Sequence, residues 1–268
     1  MNDFLNVTFL IPYRKNNNID RQNNLLDNLR YLNSILHTEV VIVEQLKSNE
    51  TSCKSLISTE FNNLNIRHFE YITYRDCIHK TKLYNDGIHH IYTPLVASCD
   101  VDVLIPLEQM IEAKNLLENG YDYCFPFSDK YVEISKNLVY ERQNFLNTFD
   151  FKTYYNSLKI VQNNLPPKAV GMIRNCPPGG IIFLKKDVYY YIGLENEEFC
   201  GYGPEDVERK NRLEKLKMKT SVISGNLYHL EHSYEHNQKR ISTNENNILF
   251  EKINKMSETE IKLYYGIR

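Results

Sequence analysis

Apolar residues alternate along this chain between short unbroken runs and a spaced, helical rhythm. Val7 to Ile11 is a run that stops at Pro12, which predicts a buried strand followed by a turn. From Arg21 to Leu36 the apolar positions are Leu25, Leu29, Leu32 and Leu36, which is the spacing of one helix face. Glu39 to Val43 is the next short strand. A strand, a helix and a strand in quick succession predict a βαβ unit on a parallel sheet. Asn65 to Tyr71 reads as a third strand. Lys80 to Ile91 reads as a helix with Leu83, Gly87 and Ile91 on one face.

An apolar run from Tyr92 to Cys99 predicts a buried strand, and a second run, Val103 to Pro106, follows it closely. Leu107 to Leu117 has helical spacing, and Tyr121 to Phe127 reads as a strand. Periodicity fades from Ser128 to Cys176, an excursion with room for a helix or two. Gly179 to Leu184 is again a strand, Lys186 to Ile192 a helix, Glu205 to Leu216 a charge-rich helix, and Ser221 to Ile223 a strand. The polar stretch from His232 to Asn247 reads as a mobile loop. Ser257-Glu258-Thr259-Glu260 is a capping box that opens a last helix. The expected class is α/β: a mostly parallel, Rossmann-like central sheet flanked by helices.

Composition narrows the partners. Lys and Arg total 32 against 34 Asp and Glu, a formal net charge of −2. Nucleic acid or an anionic membrane surface would call for a basic excess, so neither is expected as a partner. No apolar stretch approaches the roughly 18 residues of a membrane span. The first residues, Met1 to Asn6, have neither a basic segment nor a long apolar core. A cytoplasmic protein, whether free or at the membrane periphery, is the expectation. The six cysteines show no C-x-x-C spacing, which favours reduced core thiols over a disulfide frame or a zinc site.

Chemistry concentrates at Asp100-Val101-Asp102, between two apolar runs. Burying an unpaired carboxylate costs several kcal/mol, roughly, so a pair there calls for a cation. A hard divalent ion with oxygen ligands is the natural one. On its own the triplet is equally a solvated turn. Four other segments change its weight: Ile11-Pro12-Tyr13-Arg14; Lys80-Thr81-Lys82-Leu83-Tyr84-Asn85-Asp86-Gly87; Pro177-Pro178-Gly179-Gly180 with Gly201-Tyr202-Gly203-Pro204-Glu205-Asp206; and Tyr228-His229-Leu230-Glu231-His232-Ser233.

In order and spacing these segments resemble the catalytic domain of the beta-1,4-galactosyltransferases and the C-terminal galactosyltransferase modules. The likeness extends to chondroitin polymerase and polypeptide N-acetylgalactosaminyltransferase modules. It runs from Val7 to Ser233, leaving out the Ser128–Cys176 excursion. It implies one GT-A domain over 1–268, with a nucleotide-binding half (1–127) and an acceptor and catalytic half (128–268).

The resemblance also implies an inverting, metal-dependent hexosyltransferase that takes galactose, N-acetylgalactosamine or a similar sugar from a UDP-sugar donor to a glycan or glycolipid acceptor. Mn2+ (or Mg2+) is the implied ion. A retaining N-acetylgalactosaminyltransferase-like enzyme and a non-catalytic nucleotide-sugar-binding module are the alternatives. Asp102 and His232 match metal ligands, and His229 stands beside them where vertebrate members have Met. Asp206 matches the general base and Glu205 an acceptor-orienting acid; both would also suit a helix N-terminus with no catalytic role.

Pro12, Tyr13, Arg14, Lys82, Asp100, Gly180 and Tyr202 match donor contacts, although Arg14 also reads as a surface arginine and Lys82 as a plain helix-face residue. Asn85 is expected to brace the acidic loop. The pattern departs from the family at Tyr202, where Trp is usual, at Pro204, and at Val207, which replaces a further acid. Those changes leave sugar specificity open. The segment Ser233–Asn247, with His236, Lys239 and Arg240, is expected to close over the bound donor as a lid.

Overall fold

The computed structural model describes residues 2–15, 19–57, 61–163, 171–175, 178–233 and 241–267. The chain begins with β1 (Asn2–Tyr13), α1 (Ile19–Ile35), β2 (Leu36–Leu46), α2 (Lys54–Ile57), β3 (Leu64–Ile72), α3 (Lys80–Ile88) and β4 (Leu95–Cys99). It continues through β5 (Val103–Leu104), α4 (Leu107–Glu118), β6 (Tyr123–Phe125), β7 (Lys130–Ile134), α5 (Val139–Thr148), α6 (Phe151–Gln162), β8 (Ile173–Asn175) and β9 (Ile181–Lys185). The last elements are α7 (Lys186–Tyr191), α8 (Glu205–Lys215), β10 (Thr220–Val222), β11 (Leu227–Leu230), α9 (Ile241–Asn254) and α10 (Glu258–Tyr264).

Seven strands form the larger sheet, in the order β10-β6-β9-β4-β1-β2-β3. β4, β1, β2 and β3 run parallel, as the βαβ reading requires, and β9 alone enters antiparallel, between β4 and β6. The middle of this sheet is covered on both faces, so its strands are continuous apolar runs. Val40, Val41, Ile42, Val96 and Ala97 are fully buried. Phe9 of β1 meets Phe183 of β9 edge to face at 6.0 Å. α3 lies unusually close to β1 and β2 because Gly87 has no side chain. A Cβ there would come within 2.3 Å of Leu10 Cδ1 and 2.9 Å of Val43 Cγ2.

A second sheet, in the order β5-β11-β7-β8, stands beside the first. It was not legible in the sequence as a sheet. Two of its strands, β7 and β8, lie inside the Ser128–Cys176 excursion, which also carries α5 and α6. Phe145, Phe149, Phe151, Tyr154 and Tyr228 make an aromatic cluster behind this sheet, with ring centroids 4.7–6.4 Å apart. The capping box at Ser257 is present: Ser257 Oγ accepts from Glu260 N, and Glu260 accepts from Ser257 N.

The expected mobile loop is shorter than the sequence suggests. Residues 241–247 belong to α9, where Asn246 is buried and bonds to Cys200 and Tyr202. His236, Lys239 and Arg240 lie outside the described residues, and so does the core of the predicted lid. No helix among the described residues is long and apolar enough to cross a membrane.

Candidate active site

Strand β4 ends at Cys99, and the chain turns through Asp100-Val101-Asp102 before β5. The turn is held from two sides. Asp100 N donates to Gly180 O at 2.7 Å, tying it to the loop before β9. From below, a polar stripe on α1 reaches up: Asn28 donates to the carbonyls of Val101 (3.2 Å) and Val103 (3.0 Å), and Tyr31 donates to Ile105 O (2.6 Å). Asn24 donates to Leu230 O at 2.9 Å on the neighbouring strand β11. These buried amides satisfy carbonyls that a bare turn would leave unpaired. Both acidic side chains are thereby set on a rigid base.

β11 pairs antiparallel with β5, which puts His229 opposite Val103. Leu230 N donates to Asp102 O at 2.8 Å. Asp102 then faces two imidazoles: His232 Nε2 lies 3.1 Å from Oδ2 and His229 Nε2 lies 3.6 Å from Oδ1. One ligand atom from each residue lies within 4.8 Å of the others. His232 Nδ1 lies 3.1 Å from Ser233 O; a carbonyl can only accept, so Nδ1 carries a proton. Both Nε2 atoms thus converge on the one carboxylate of Asp102. Burial pushes the His229 ring below its ordinary value despite Asp102, which favours the neutral, ligating form. Burial would raise Asp102, but His229 and His232 outweigh it and hold its carboxyl well below the usual range.

One carboxylate oxygen and two imidazole nitrogens make a donor set that fits a divalent transition ion such as Mn2+. Loss of a group that merely supports a metal ligand costs 10–100-fold in affinity, roughly, and loss of a ligand should exceed that. Asp102→Asn and His232→Ala are each expected to weaken Mn2+ binding by more than about 100-fold, read by calorimetry or by Mn2+ electron paramagnetic resonance. Unchanged Mn2+ affinity in either variant would remove this cluster as the ion site.

A second constellation shares the cleft. Lys80, at the start of α3, lies 3.3 Å from Asp100, 3.0 Å from Glu205 and 3.1 Å from Asp206. Its buried ammonium is stabilised by these carboxylates, which lift it well above the ordinary lysine value against the cost of burial. Glu205 and Asp206 open α8, where the helix N-terminus favours negative charge. Arg209, one turn on, donates to Asp206 at 2.9 Å and to buried Glu195 at 2.6 Å. Burial raises Asp206, but Lys80 and Arg209 bring it below its usual value, so it stands as a carboxylate. Burial and the neighbouring Asp206 push Glu205 up to about 7 in spite of Lys80.

Two glycines shape the approach. A Cβ on Gly179 would stand 2.7 Å from Asp206 Oδ2, so only glycine leaves that carboxylate its place. Gly180 has φ +92°, in the left-handed region where a side chain is strained.

The raised Glu205 has a thermodynamic consequence. A folded-state value above the ordinary 4.5 means that the folded chain binds this proton more tightly than the unfolded one. The associated stability is complete below about 4.5 and is lost as pH climbs through about 7. Glu205→Gln keeps the neutral shape at every pH. It is expected to be more stable than the parent by roughly 1–3 kcal/mol at pH 8 and near-equal at pH 5. Urea midpoints at both pH values check this; an equal shift at both would contradict it.

Asp100, Asp102, Lys80, Glu205, Asp206, His229 and His232 all line one cavity of about 540 Å³, with Pro12, Gly179, Gly180 and Tyr202. Arg21 and Arg174 line it as well, and neither makes an ion pair among the described residues. The guanidinium of Arg174 lies 4.3 Å over the Tyr131 ring, which also lies 5.3 Å from the His229 ring.

Other expected residues are placed elsewhere. Lys82 turns away from the cavity and pairs with Asp86, with Glu197 at 3.8 Å. Lys80, two residues earlier on the opposite face of α3, lines the cavity instead. Arg14 is buried and donates to the carbonyls of Arg75 (2.6 Å) and Cys77 (3.0 Å), bracing a rim loop and not lining the cavity. Tyr13 is buried, with no hydrogen-bond partner for its hydroxyl among the described residues. Asn85 braces the loop at Glu195 and Glu197, not the turn at Asp100.

No protein-family model matches the chain. No curated protein matches it by sequence. Solved structures do match by shape. One is GalNAc-T7 with UDP, GalNAc and Mn2+: TM-score 0.57 at 8% identity, over 97% of this chain and 50% of that one. A second is residues 1–349 of Staphylococcus aureus TarS with UDP-GlcNAc: TM-score 0.56 at 13% identity, over 96% of this chain and 69% of that one. A third is the catalytic domain of Drosophila beta1,4-galactosyltransferase 7 with xylobiose: TM-score 0.51 at 13% identity, over 97% and 84%. The chain spans 36% of the longer TarS structure that it matches. Sheet order, covering helices and these likenesses agree: the chain has the GT-A glycosyltransferase fold.

Proposed function

We propose that the protein is an inverting, metal-dependent glycosyltransferase that moves a hexose from a UDP-sugar to a glycan acceptor. The observation that carries this reading is the shared cleft. A carboxylate–imidazole set fit for a divalent ion and a cation-held acidic pair face one cavity of about 540 Å³. UDP, UDP-GlcNAc and Mn2+ accompany structures of the same fold, which supports the choice of donor and ion.

Asp102, His229 and His232 would hold the ion, which when bound supplies positive charge for a departing diphosphate. The remaining work belongs to side chains. Arg21 lines the cavity with no ion pair among the described residues, and suits a phosphate oxygen. Asp206 accepts the proton of the acceptor hydroxyl as that oxygen attacks the anomeric carbon, because Lys80 and Arg209 hold it below its usual value as a carboxylate while Glu205 is pushed up to about 7. Lys80 and Arg209 fix its position and lower its basicity; the hydroxyl grows more acidic as the new C–O bond forms, which offsets that loss. Glu205 orients the acceptor by hydrogen bonding. Tyr202, 62% exposed at the cavity edge, offers a face for a sugar ring. Arg174, over the Tyr131 ring, is an acceptor-side contact suited to a carboxylate or sulfate.

The test is incubation with Mn2+, a panel of nucleotide sugars and candidate acceptors, with nucleotide release measured and the product linkage read by NMR. Mn2+-dependent release with a beta-linked product from an alpha-linked donor is expected. An alpha-linked product would assign a retaining enzyme. Tight nucleotide-sugar binding with no turnover on any acceptor would assign a binding module.

A further inference from the structure

We propose that Cys77 and Cys200 form a reversible dithiol–disulfide modification site at the rim of the cleft, with a low-molecular-weight disulfide such as oxidised glutathione as its oxidant. The two residues are 123 positions apart, yet their Sγ atoms lie 2.8 Å from each other. Cys77 lines the cavity, and both side chains are half-buried, so a small reagent can reach them. The other described cysteines, Cys53, Cys99 and Cys124, are buried.

The scaffold around the pair is fixed from several directions. Arg14 and Gln45 donate to Cys77 O at 3.0 and 2.8 Å. Asn246 accepts from Cys200 N and donates to Cys200 O. Gly201 N donates to Ile78 O at 2.9 Å, joining the two loops beside the thiols. Little chain entropy remains to be lost on closing the bond.

The environment also makes one sulfur the better nucleophile. The hydrogen bond from Cys77, with help from His79 and Arg75 and against the cost of burial, brings the Cys200 thiol down to about 6. Arg75 Nη1 lies 3.5 Å from that sulfur. Cys77 is pushed up in turn, and burial pushes up Cys53, Cys99 and Cys124, the last to about 12. Reactive and inert thiols are thus separated by position.

The exchange balances without another reagent. Cys200 thiolate attacks one sulfur of the small disulfide, forms a mixed disulfide and expels a thiolate. Cys77, after losing its proton, attacks the Cys200 sulfur and expels the second thiolate. The two protein thiols lose two electrons and two protons, and the small disulfide becomes two thiols. The new bond ties the loop before α3, which carries Lys80, to the loop Gly201-Tyr202-Gly203-Pro204 ahead of Glu205. Reduction removes that covalent tie and leaves the hydrogen bonds.

The test uses the full chain equilibrated with oxidised glutathione, then alkylated and mapped by mass spectrometry. A Cys77–Cys200 linked peptide with loss of two of the six thiols is expected, reversed by dithiothreitol. Cys77→Ser and Cys200→Ser should each lose no thiol pair, and the Cys77→Ser chain should keep a stable glutathione adduct on Cys200. Amide hydrogen exchange at 201–203 should slow on oxidation. Separate alkylation of Cys77 and Cys200 after equilibration, or a different pairing, would overturn the proposal. An unchanged exchange rate in a linked chain would overturn the claim that the bond fixes the Tyr202 loop. None of these readouts depends on the transferase reading.

Discussion

Asp206→Asn is expected to lower turnover by about 10²–10⁴ while leaving nucleotide-sugar affinity near the parent value. The amide keeps the size of the carboxylate and can still face Lys80 and Arg209, which stand 3.1 and 2.9 Å away. What it loses is the capacity to take a proton from the acceptor hydroxyl. The ion site is made by other residues, Asp102, His229 and His232, none of which pairs with Asp206. Single-turnover transfer at saturating acceptor, with donor affinity from calorimetry, separates the two quantities. Near-parental turnover would show that Asp206 is not the base, whatever the variant did to affinity.

The second large effect is expected at Lys80. Its ammonium is the common partner of Asp100, Glu205 and Asp206. Lys80→Met fills much of the same space with no charge, leaving carboxylates in a buried site without their shared cation. Removing one partner from a buried ion pair costs about 3–5 kcal/mol, and that range is expected here at pH 8. Without the lysine, the folded-state carboxyl values rise, so the deficit should shrink as pH falls and the acids take up protons. Urea denaturation at pH 5 and pH 8 measures this; a loss of equal size at both would refute it. Lys82→Met is the control. Lys82 pairs with Asp86 on a partly exposed helix face, where such pairs contribute about 0.3–0.5 kcal/mol.

That pair of lysines shows where sequence reasoning reached its limit. The helix was legible, with Leu83 and Gly87 turned inward. Lys80 lies three residues before Leu83 and four before Tyr84, on the inward face, and helical spacing alone selects it over Lys82. The family likeness drew attention to Lys82; the geometry of the helix favours Lys80. The acidic turn, Glu205-Asp206 and the histidines were visible because each is a short motif beside a strand or helix end. Arg21 and Arg174 were not, since a lone arginine near the start of a helix or in a three-residue strand has no local signature. The Asn24, Asn28 and Tyr31 stripe was hidden for another reason. Polar residues inside an amphipathic helix read as its solvent face, and only the tertiary fold shows that these three hold the turn bearing Asp102. The small sheet was missed because β5, β8 and β11 have two to four residues each. Cys77 and Cys200 could not be paired from spacing, because a contact across 123 residues leaves no trace in either neighbourhood.

The order of strands in the larger sheet also has a bearing on how the chain folds as it is synthesised. β1, β2, β3 and β4 come first in sequence and are neighbours in space, so a four-stranded parallel unit can assemble from the first hundred residues. Its flank at β4 is not covered until β9 arrives, some eighty residues later. For that interval Leu95, Val96 and Ala97 present an apolar strand with unpaired backbone groups, the kind of edge on which chains associate with each other. Asp100 and Asp102 sit at the end of that strand. Two charges that the mature fold sets in the cleft would, in the growing chain, stand beside the exposed edge and oppose its pairing with another copy.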